Sequence, residues 1–325
     1  MTKPEITQQD IFKAHARIRA LVQHTPLIKS LSLSGMIDGE VRLKLETLQP
    51  TGAFKVRGAA NRILNMTAEE KARGVVTVST GNHGRAVAYV AKSLGIDATI
   101  CVSERVPPNK IEALKQSGAK LVVHGQSQDD AEVRARELMV SRQLTLIHPF
   151  DDLHVITGQG TIGIELLNDY PEIDTVIVPL SGGGLISGIA IALKYANSKI
   201  QVIGVSMKEG CVMYQSLQAG KPIQIPEADT LADSLNGGIG LENRYTYQLV
   251  KQYVDDVVLV SETDIERAMA LMLHNHHIIV EGAGAVPIAA LLSGRIKTGK
   301  QLALIISGGN VDTTTALRIG EQYRG

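Results

Sequence analysis

The sequence of 325 residues contains no tryptophan, only three phenylalanines and two cysteines, and no excess of charge of either sign. Because aromatic residues make up 3% of the chain, few flat side chains are available on which nucleobases could stack. The 33 Lys and Arg residues balance the 33 Asp and Glu residues, which gives no electrostatic reason to expect nucleic acid or an anionic membrane as a partner. Cys101 and Cys211 form no CxxC motif, so neither a zinc cluster nor a disulfide framework is predicted.

Long apolar segments are absent as well. No run of about 18 apolar residues occurs, so no transmembrane helix is predicted. The first residues, Met1–Thr7, lack the apolar stretch of a secretory signal. Together with the low cysteine content, these features predict a cytoplasmic protein. Hydrophobic residues still make up 44% of the chain, which is enough to build a sizeable core.

Short apolar segments alternate with longer segments of helical periodicity along the chain. This alternation is typical of βαβ units and predicts an α/β protein with parallel sheets. The predicted strands are Val41–Glu46, Val75–Ser79, Ala98–Val102, Lys120–Val123, Thr175–Pro179, Gln201–Ser206, Val257–Val260 and Gln301–Ile306. The predicted helices are Gln8–Val22, Phe54–Asn65, His83–Leu94, Asn109–Gln116, Gln128–Ser141, His154–Asp169, Leu185–Tyr195, Thr263–His274 and Ala283–Leu292.

The domain organisation is predicted from one compact αβ run, Val75–Leu146. The segments on either side of this run carry enough strands to form a second sheet. We therefore expect the chain to begin one domain, build another and return to the first. The larger domain would comprise residues 1–74 and 149–325, and the smaller one residues 75–148.

The segment Thr51–Ala59, TGAFKVRGA, places a single lysine, Lys55, among small and apolar residues at the start of a predicted helix. Desolvation and the positive end of the helix dipole both disfavour an ammonium group, so we expect the pKa of Lys55 to be lowered. A neutral amine is what Schiff-base chemistry requires. Taken alone, the segment leaves open the simpler interpretation of a surface lysine near a helix start.

Two loops that contain glycine each follow a predicted strand and open a predicted helix. Ser79–Gly84, STGNHG, can direct backbone amides at an anion such as a substrate carboxylate. Ser181–Leu185, SGGGL, has the position and composition of a phosphate-binding turn. The latter is not a dinucleotide fingerprint, because Ser187 stands at the third glycine position, and no Gly-Lys-Ser/Thr follows to make a P-loop. Either loop alone is also compatible with a plain turn.

Three polar features lie in the C-terminal third of the chain. Ser307 follows the strand Gln301–Ile306 and precedes two glycines, which suits a ligand at the carboxyl end of a sheet. Glu281 follows an apolar run, which indicates either a partly buried carboxylate or an ordinary acid at a helix start. The histidines of His274–His277 have no Cys or carboxylate at ligand spacing, so we predict a solvated group rather than a metal site.

Taken together and in this order, TGAFKVRGA, STGNHG, SGGGL and the SGGN segment at Ser307 resemble the fold-type II pyridoxal-phosphate enzymes. The resemblance is closest to the branch of threonine/serine dehydratases and serine racemases. Within that branch, STGNHGRAVAYVA, VPLSGGGLI and LADSLNGGIGL resemble the dehydratase of hydroxyectoine utilisation. The resemblance implies a tryptophan synthase β-like fold, in which two open, twisted, mostly parallel sheets are flanked by helices. The large domain would bind the cofactor, and the small domain would carry the substrate loop.

The resemblance also implies a role for each segment. Lys55 would hold pyridoxal 5′-phosphate as a Schiff base and later move the Cα proton of the substrate. Phe54 would pack beside the pyridine ring, Ser307 would face the ring nitrogen, and Glu281 would lie in the cofactor site. The phosphate would be held by the amides of Ser181, Gly182, Gly183, Gly184 and Leu185. The substrate carboxylate would be bound by Ser79, Thr80, Gly81, Asn82 and His83, of which Asn82 would also contact the phenolic oxygen of the cofactor.

The implied reaction removes water from a 3-hydroxy amino acid such as L-threonine or L-serine and yields a 2-keto acid and ammonia. The narrower resemblance adds an amino acid derived from hydroxyectoine as a candidate substrate. A serine opposite the ring nitrogen makes the ring a weaker electron sink than an aspartate would, which favours prompt elimination. Racemisation of a serine-type amino acid stays open as the alternative, because Thr80 stands where the racemase branch has a catalytic hydroxyl.

Two further expectations come from the same resemblance. Relatives often bind a divalent cation through a glutamate and an aspartate, but this chain has Ser206, Gly210 and Val212 in that region, so no equivalent metal site is predicted. The small-molecule partner would be an amino acid, and the chain would form a homodimer.

Overall fold

The computed structural model describes residues 6–106, 111, 112, 114, 117–296 and 299–324. Ten strands are present in this part of the chain: β1 Leu27–Lys29, β2 Glu40–Leu45, β3 Val75–Val78, β4 Ala98–Val102, β5 Lys120–Val123, β6 Thr145–Leu146, β7 Thr175–Pro179, β8 Gln201–Met207, β9 Asp256–Val260 and β10 Gln301–Ile306. They form one sheet of six strands, ordered β1-β2-β10-β7-β8-β9, and one of four strands, ordered β5-β4-β3-β6. Within the described residues, only the β1–β2 pair is antiparallel.

Helices flank both sheets in the described part of the chain. They are α1 Gln8–Ile18, α2 Leu31–Ser34, α3 Lys55–Leu64, α4 Ala68–Arg73, α5 Asn82–Ser93, α6 Gln128–Ser141, α7 Leu153–Asp169, α8 Gly184–Ala196, α9 Val212–Ala219, α10 Thr246–Tyr253, α11 Glu262–His276, α12 Gly282–Leu292 and α13 Thr313–Gln322. Short 3-10 turns occur at Glu46–Leu48 and Asp233–Leu235.

The six-stranded sheet has an apolar core on each face, which explains the apolar runs at residues 176–178 in β7 and 302–306 in β10. In β7, Val176 and Val178 belong to a core shared with α7 and α8, whereas Ile177 belongs to the core on the other face, shared with α11 and α12. In β10, Leu304 and Ile305 divide between the two cores in the same way. Because successive side chains of a strand point to opposite faces, consecutive positions of a strand covered on both sides all face a core and are mostly apolar.

The predicted strands are all present, and each bound lies within one residue of its prediction. β1 and β6 were not predicted, because strands of three and two residues are too short to show a periodicity. Five helices, α2, α4, α9, α10 and α13, were not predicted either; α4 has no buried residue at all, so it has no apolar face to detect. The predicted helix Gln8–Val22 was too long, since α1 ends at Ile18. The helix predicted at Asn109–Gln116 lies mostly outside the described residues.

Candidate active site

The four predicted segments meet at the carboxyl ends of parallel strands. The segment Ala53–Lys55 lies beside Ser307, since the backbone N–H of Phe54 donates to the Ser307 carbonyl over 3.0 Å and Ala53 forms an isolated β-bridge with Gly308. The loop after β3 joins them through Asn82, whose Nδ2 donates to Glu281 Oε1 over 2.7 Å. Their positions at strand ends are predictable from the sequence, but the contacts between them join loops of both sheets and follow only from the tertiary structure.

Lys55 is the first residue of α3 and is partly buried. Its Nζ donates to the carbonyl oxygen of Pro149 over 2.8 Å and lies 5.2 Å from the centre of the Phe54 ring. Desolvation lowers the pKa of Lys55 to about 8, although the negative charge of Glu281 acts in the opposite direction. A substantial fraction of this amine is therefore neutral near physiological pH, as Schiff-base formation requires.

This lowered pKa predicts how covalent uptake of pyridoxal phosphate depends on pH. The neutral fraction of an amine rises as the pH passes its pKa, so the rate of uptake by the apoprotein should climb through pH 8 and level off. For a lysine of ordinary pKa, the rate of uptake would keep rising until about pH 10.4. Stopped-flow absorbance at several pH values measures this rate. A rate that still climbs steeply between about pH 9 and 10 would contradict the lowered pKa.

Each glycine of the loop Ser181–Leu185 has a steric reason to lack a side chain. A Cβ on Gly182 would lie 2.4 Å from the Phe150 ring, and one on Gly184 would lie 2.9 Å from the Phe150 carbonyl oxygen. Gly183 has φ +85° and caps α8 without a side-chain hydrogen bond. Because the first-turn amides of a helix have no partner within the helix, they are free to bind an anion here. The loop thus has the features of the predicted phosphate-binding turn.

Phe150 is a residue that the sequence analysis missed. It follows Pro149, the partner of Lys55, and its ring packs under Gly182. The segment 148–151 is itself held in place, because His148 Nδ1 accepts hydrogen bonds from the backbone amides of Phe150 and Asp151 over 3.2 and 2.8 Å. The segment thereby sets the distance between Lys55 and the glycine loop. No local sequence signal marks such a contact, since it depends on chain segments distant in sequence.

The loop Ser79–Gly84 turns from β3 into α5. The Gly81 amide donates to Ser79 Oγ over 3.2 Å, and a Cβ on Gly84 would lie 2.3 Å from the Ser79 carbonyl oxygen. A Cβ on Gly81, in contrast, would meet no atom within 4 Å. Ser79, Thr80 and Gly81 are partly buried, whereas Asn82 and His83 are buried. Gly84 is thus needed to close the turn, while Gly81 faces open space in which a ligand can lie.

His83 is buried as a neutral imidazole. Its Nε2 donates to the Ile147 carbonyl oxygen over 2.8 Å, which leaves Nδ1 without a proton and without a hydrogen-bond partner among the described residues. Desolvation and the charge of Lys55 lower the pKa of His83 to about 3. An uncharged ring with a bare Nδ1 does not attract a carboxylate, so any contact of His83 with a substrate carboxylate has to come from its backbone amide.

The histidine cluster His274–His277 lies at the end of α11, as predicted, and the side chains of His274 and His276 have partners within the protein. His274 Nε2 lies 2.9 Å from the Gly320 carbonyl oxygen, and His276 Nε2 lies 3.0 Å from Ser30 Oγ. Within the described ranges, no group of three His, Cys, Asp or Glu side chains is arranged to hold a metal ion. In the part of the chain that the structure describes, no helix is both long and apolar enough to cross a membrane.

Comparison with known proteins decides which chemistry this arrangement belongs to. A family model, "Pyridoxal-phosphate dependent enzyme", matches residues 18–308. The chain belongs to this family. Among its relatives, the L-threonine dehydratase catabolic TdcB of Staphylococcus aureus (strain N315) is 45% identical over 310 residues, which cover 94% of this chain and 89% of that protein.

Solved structures of family members superpose closely on the chain. Maize serine racemase does so with a TM-score of 0.91 at 38% identity, covering 98% of this chain and 97% of its own. Threonine deaminase from T.th. does so with a TM-score of 0.87 at 35% identity, covering 94% and 99%. The predicted pyridoxal-phosphate family, its two-sheet fold, its cofactor and its likeness to threonine dehydratases and serine racemases are confirmed. The hydroxyectoine subgroup stays a prediction.

Proposed function

We propose that the protein eliminates water from a small 3-hydroxy amino acid, such as L-threonine or L-serine, and releases a 2-keto acid and ammonia. The observation that carries this proposal is Lys55, a partly buried lysine of lowered pKa held between two glycine loops. The 45% identity to an L-threonine dehydratase over most of both chains supports the reaction class. An amino acid derived from hydroxyectoine is a further candidate substrate.

The residues present fit pyridoxal 5′-phosphate. Lys55 supplies the amine, and the amides of Ser181, Gly182, Gly183, Gly184 and Leu185 supply a cradle for its phosphate at the start of α8. Ser307 is buried beside the backbone of Phe54 and offers a hydroxyl rather than a charge to the ring nitrogen. We propose that Phe54 packs beside the ring and that Asn82 donates to the phenolic oxygen.

In the proposed mechanism, the positions of Lys55 and Ser307 give each residue a separate role. When bound, the cofactor acidifies the Cα–H bond of the amino acid joined to it. Lys55 is placed to accept the Cα proton, because its amine is neutral above about pH 8 and Pro149 orients its nitrogen. Ser307 would not hold a positive charge at the ring nitrogen as a carboxylate would, which favours prompt loss of the β-hydroxyl.

Substrate binding is proposed to use the loop Ser79–His83, which predicts opposite effects for two glycines. Gly81→Ala puts a methyl group into the open space where the carboxylate would lie, so we expect KM to rise by about tenfold with little change in stability. Gly84→Ala meets the Ser79 carbonyl at 2.3 Å, so we expect a loss of about 2 kcal/mol or more of stability. Steady-state kinetics and thermal unfolding separate the two. Equal effects of both variants on KM and on stability would contradict this assignment.

Keto-acid release across a panel of substrates tests the proposed function. The panel comprises L-threonine, L-serine, 3-hydroxyaspartate and a hydroxylated diamino acid, and a dehydratase releases keto acid and ammonia in equal amounts from at least one of them. Racemisation is the second candidate, because Thr80 offers a hydroxyl in the loop and maize serine racemase is 38% identical. Exchange of the Cα hydrogen for deuterium without keto acid would favour a racemase and count against a dehydratase.

Three broader properties are part of the same proposal. The four strands β3–β6 lie between residues 75 and 146 and form a sheet of their own, which supports a small domain of residues 75–148 inside a large one of 1–74 and 149–325. A homodimer and a cytoplasmic location are proposed from the resemblance and from the composition.

A further inference from the structure

We propose that Asn310 is a positioning residue that fixes the orientation of the Asn82 carboxamide, so that one N–H of Asn82 is always presented to the phenolic oxygen of the cofactor. Asn310 ends the SGGN segment after β10 and lies outside the residues assigned to the cofactor or the substrate above. The inference rests on the proposed function, because it concerns the same site.

The orientation of Asn310 itself is unambiguous. Its Nδ2 donates to the backbone carbonyl of Thr51 over 2.9 Å, and a carbonyl can only accept. Its Oδ1 accepts from Arg85 Nη1 over 3.3 Å, and a guanidinium can only donate. A flipped Asn310 would face an acceptor with its oxygen and a donor with its NH2 group. The Thr51 carbonyl and the Arg85 guanidinium therefore fix the orientation of the Asn310 carboxamide.

Asn310 in turn fixes the orientation of the Asn82 carboxamide. The second hydrogen of Asn310 Nδ2 points to Asn82 Oδ1 over 2.7 Å, so the oxygen of Asn82 has to lie on that side. The Asn82 Nδ2 then faces Glu281 and donates to its Oε1 over 2.7 Å. Since a carboxamide nitrogen carries two hydrogens, one hydrogen of Asn82 Nδ2 remains for a ligand. A reversed Asn82 would offer an oxygen, which repels a phenolate.

Asn310, Asn82 and Glu281 form a triangle of hydrogen bonds, in which the Glu281 carboxylate is the acceptor for the other two residues. Its Oε2 accepts from the backbone N–H of Asn310 over 3.1 Å, while its Oε1 accepts from Asn82. Burial raises the pKa of Glu281, and these two donors act against that effect by favouring the carboxylate. A reversed Asn82 would also place its oxygen against this carboxylate. Both neighbours of Asn82 thus enforce the same orientation.

Two glycines leave the space that this triangle occupies. A Cβ on Gly52 would lie 2.6 Å from Asn310 Oδ1, and a Cβ on Gly308 would lie 2.7 Å from Glu281 Oε1. The triangle also connects the two sheets, because Asn82 opens α5 after β3, whereas Glu281 and Asn310 flank the end of β10. It therefore ties the loop proposed to bind the substrate to the sheet that carries the lysine.

The test compares Asn310→Asp with Asn310→Ala. Asp replaces both donors by acceptors and so opposes the Asn82 oxygen, whereas Ala merely leaves that oxygen without a partner. We expect the Kd for pyridoxal phosphate to rise about tenfold or more in the Asp variant and clearly less in the Ala variant. Absorbance titration of the apoproteins gives Kd, and the absorbance maximum of the bound cofactor should shift in the Asp variant. A merely structural role predicts no difference between the two variants.

Asn65→Asp is the matched control. Asn65 Nδ2 also donates to two oxygens, the Asn61 carbonyl over 2.7 Å and Asn61 Oδ1 over 3.2 Å, at the far end of α3. We expect this variant to lose stability in thermal unfolding without any change in Kd or in the cofactor spectrum. Equal losses of affinity in Asn65→Asp and Asn310→Asp would overturn the proposal, because they would show a general effect of stability.

A pH series gives a signature that only the orientation account predicts. In Asn310→Asp, protonation of the introduced carboxylate returns an O–H donor toward Asn82. The buried Glu281 raises the pKa of such a carboxyl above its usual value of about 3.9, whereas the Arg85 guanidinium lowers it. Because Arg85 is exposed and screened by solvent, we expect the effect of Glu281 to be the larger one. The ratio of the variant Kd to the wild-type Kd should therefore fall as the pH is lowered from about 8 to about 5.5. The ratio for Asn310→Ala should stay constant. A constant ratio for the Asp variant would contradict the proposal.

Two outcomes separate this inference from the proposed function. If the wild-type protein is not labelled at Lys55 by borohydride in the presence of pyridoxal phosphate, the proposed function fails. If the wild type is labelled but Asn310→Asp keeps its Kd and spectrum, only the role of Asn310 fails. Should Asn310→Asp not fold, Asn310→Leu gives a second test, because leucine has nearly the same shape and lacks both donors; unchanged Kd and spectrum there would again overturn the proposal.

Discussion

Replacement of Lys55 by alanine is expected to lower keto-acid formation by on the order of 10³-fold or more, because the variant loses both the covalent anchor of the cofactor and the base that takes the Cα proton. The apoprotein should unfold at nearly the same temperature as the wild type. Lys55 makes a hydrogen bond to the Pro149 carbonyl rather than an ion pair, so its removal leaves no buried counter-charge without a partner among the described residues.

Lys71→Ala is the matched control for this variant. Lys71 Nζ likewise donates to a backbone carbonyl, that of Leu64, over 3.2 Å, but it lies on α4, away from the glycine loops. We expect this variant to retain wild-type activity. Keto-acid release by Lys55→Ala within about tenfold of the wild type would show that another group performs the proton transfer.

The largest expected effect on stability concerns four buried charges that sit behind the candidate active site. The Arg57 guanidinium is bound on one side by Glu46, over 2.7 and 2.8 Å, and on the other by Glu165, over 2.6 and 2.9 Å. Lys44 Nζ lies 2.7 Å from Glu165. All four side chains are at most 2% exposed, so none of the charges is compensated by water. Although burial alone would lower the pKa of Arg57, the two carboxylates outweigh burial and raise it.

Arg57→Leu is therefore expected to lower the free energy of unfolding by about 3–5 kcal/mol, because the buried Glu46 would lose its ion pair and Glu165 would keep only its pair with Lys44. Arg136→Leu, which removes an exposed pair with Glu132 on α6, should change stability by about 0.5 kcal/mol or less. Since the chain has no tryptophan, urea unfolding is best followed by far-ultraviolet circular dichroism. Losses of similar size in the two variants would contradict the account of the buried cluster.

The strands and loops of the site were predictable because each has a local cause. A strand covered on both faces is apolar along most of its length, as at residues 176–178, and a turn with positive φ or a close approach needs glycine, as at Gly183 and Gly84. Lys55 was predictable because it stands at a helix start among small residues. Each of these features is visible in a window of a few residues.

The remaining features depend on contacts between distant segments and have no local signature. Arg57 and Glu165 look like surface charges in the sequence, yet they pair at 2.6 Å in the interior. The Pro149 carbonyl accepts from Lys55, and the Phe150 ring packs against Gly182. The Asn310 carboxamide donates to Asn82. In each pair the two residues lie many positions apart in the sequence. Composition and periodicity do not report such pairings. They follow only from the tertiary structure, which brings helices together and joins loops of the two sheets.

Reductive trapping tests the central claim most directly. The wild-type protein is incubated with pyridoxal phosphate, reduced with borohydride and digested, and the modified peptide is identified by mass spectrometry. Of the lysines in the chain, we expect the cofactor to be attached to Lys55, within the segment TGAFKVRGA, and the yellow absorbance to be lost on reduction. Attachment to a different lysine, or the absence of any covalent cofactor, would contradict the account.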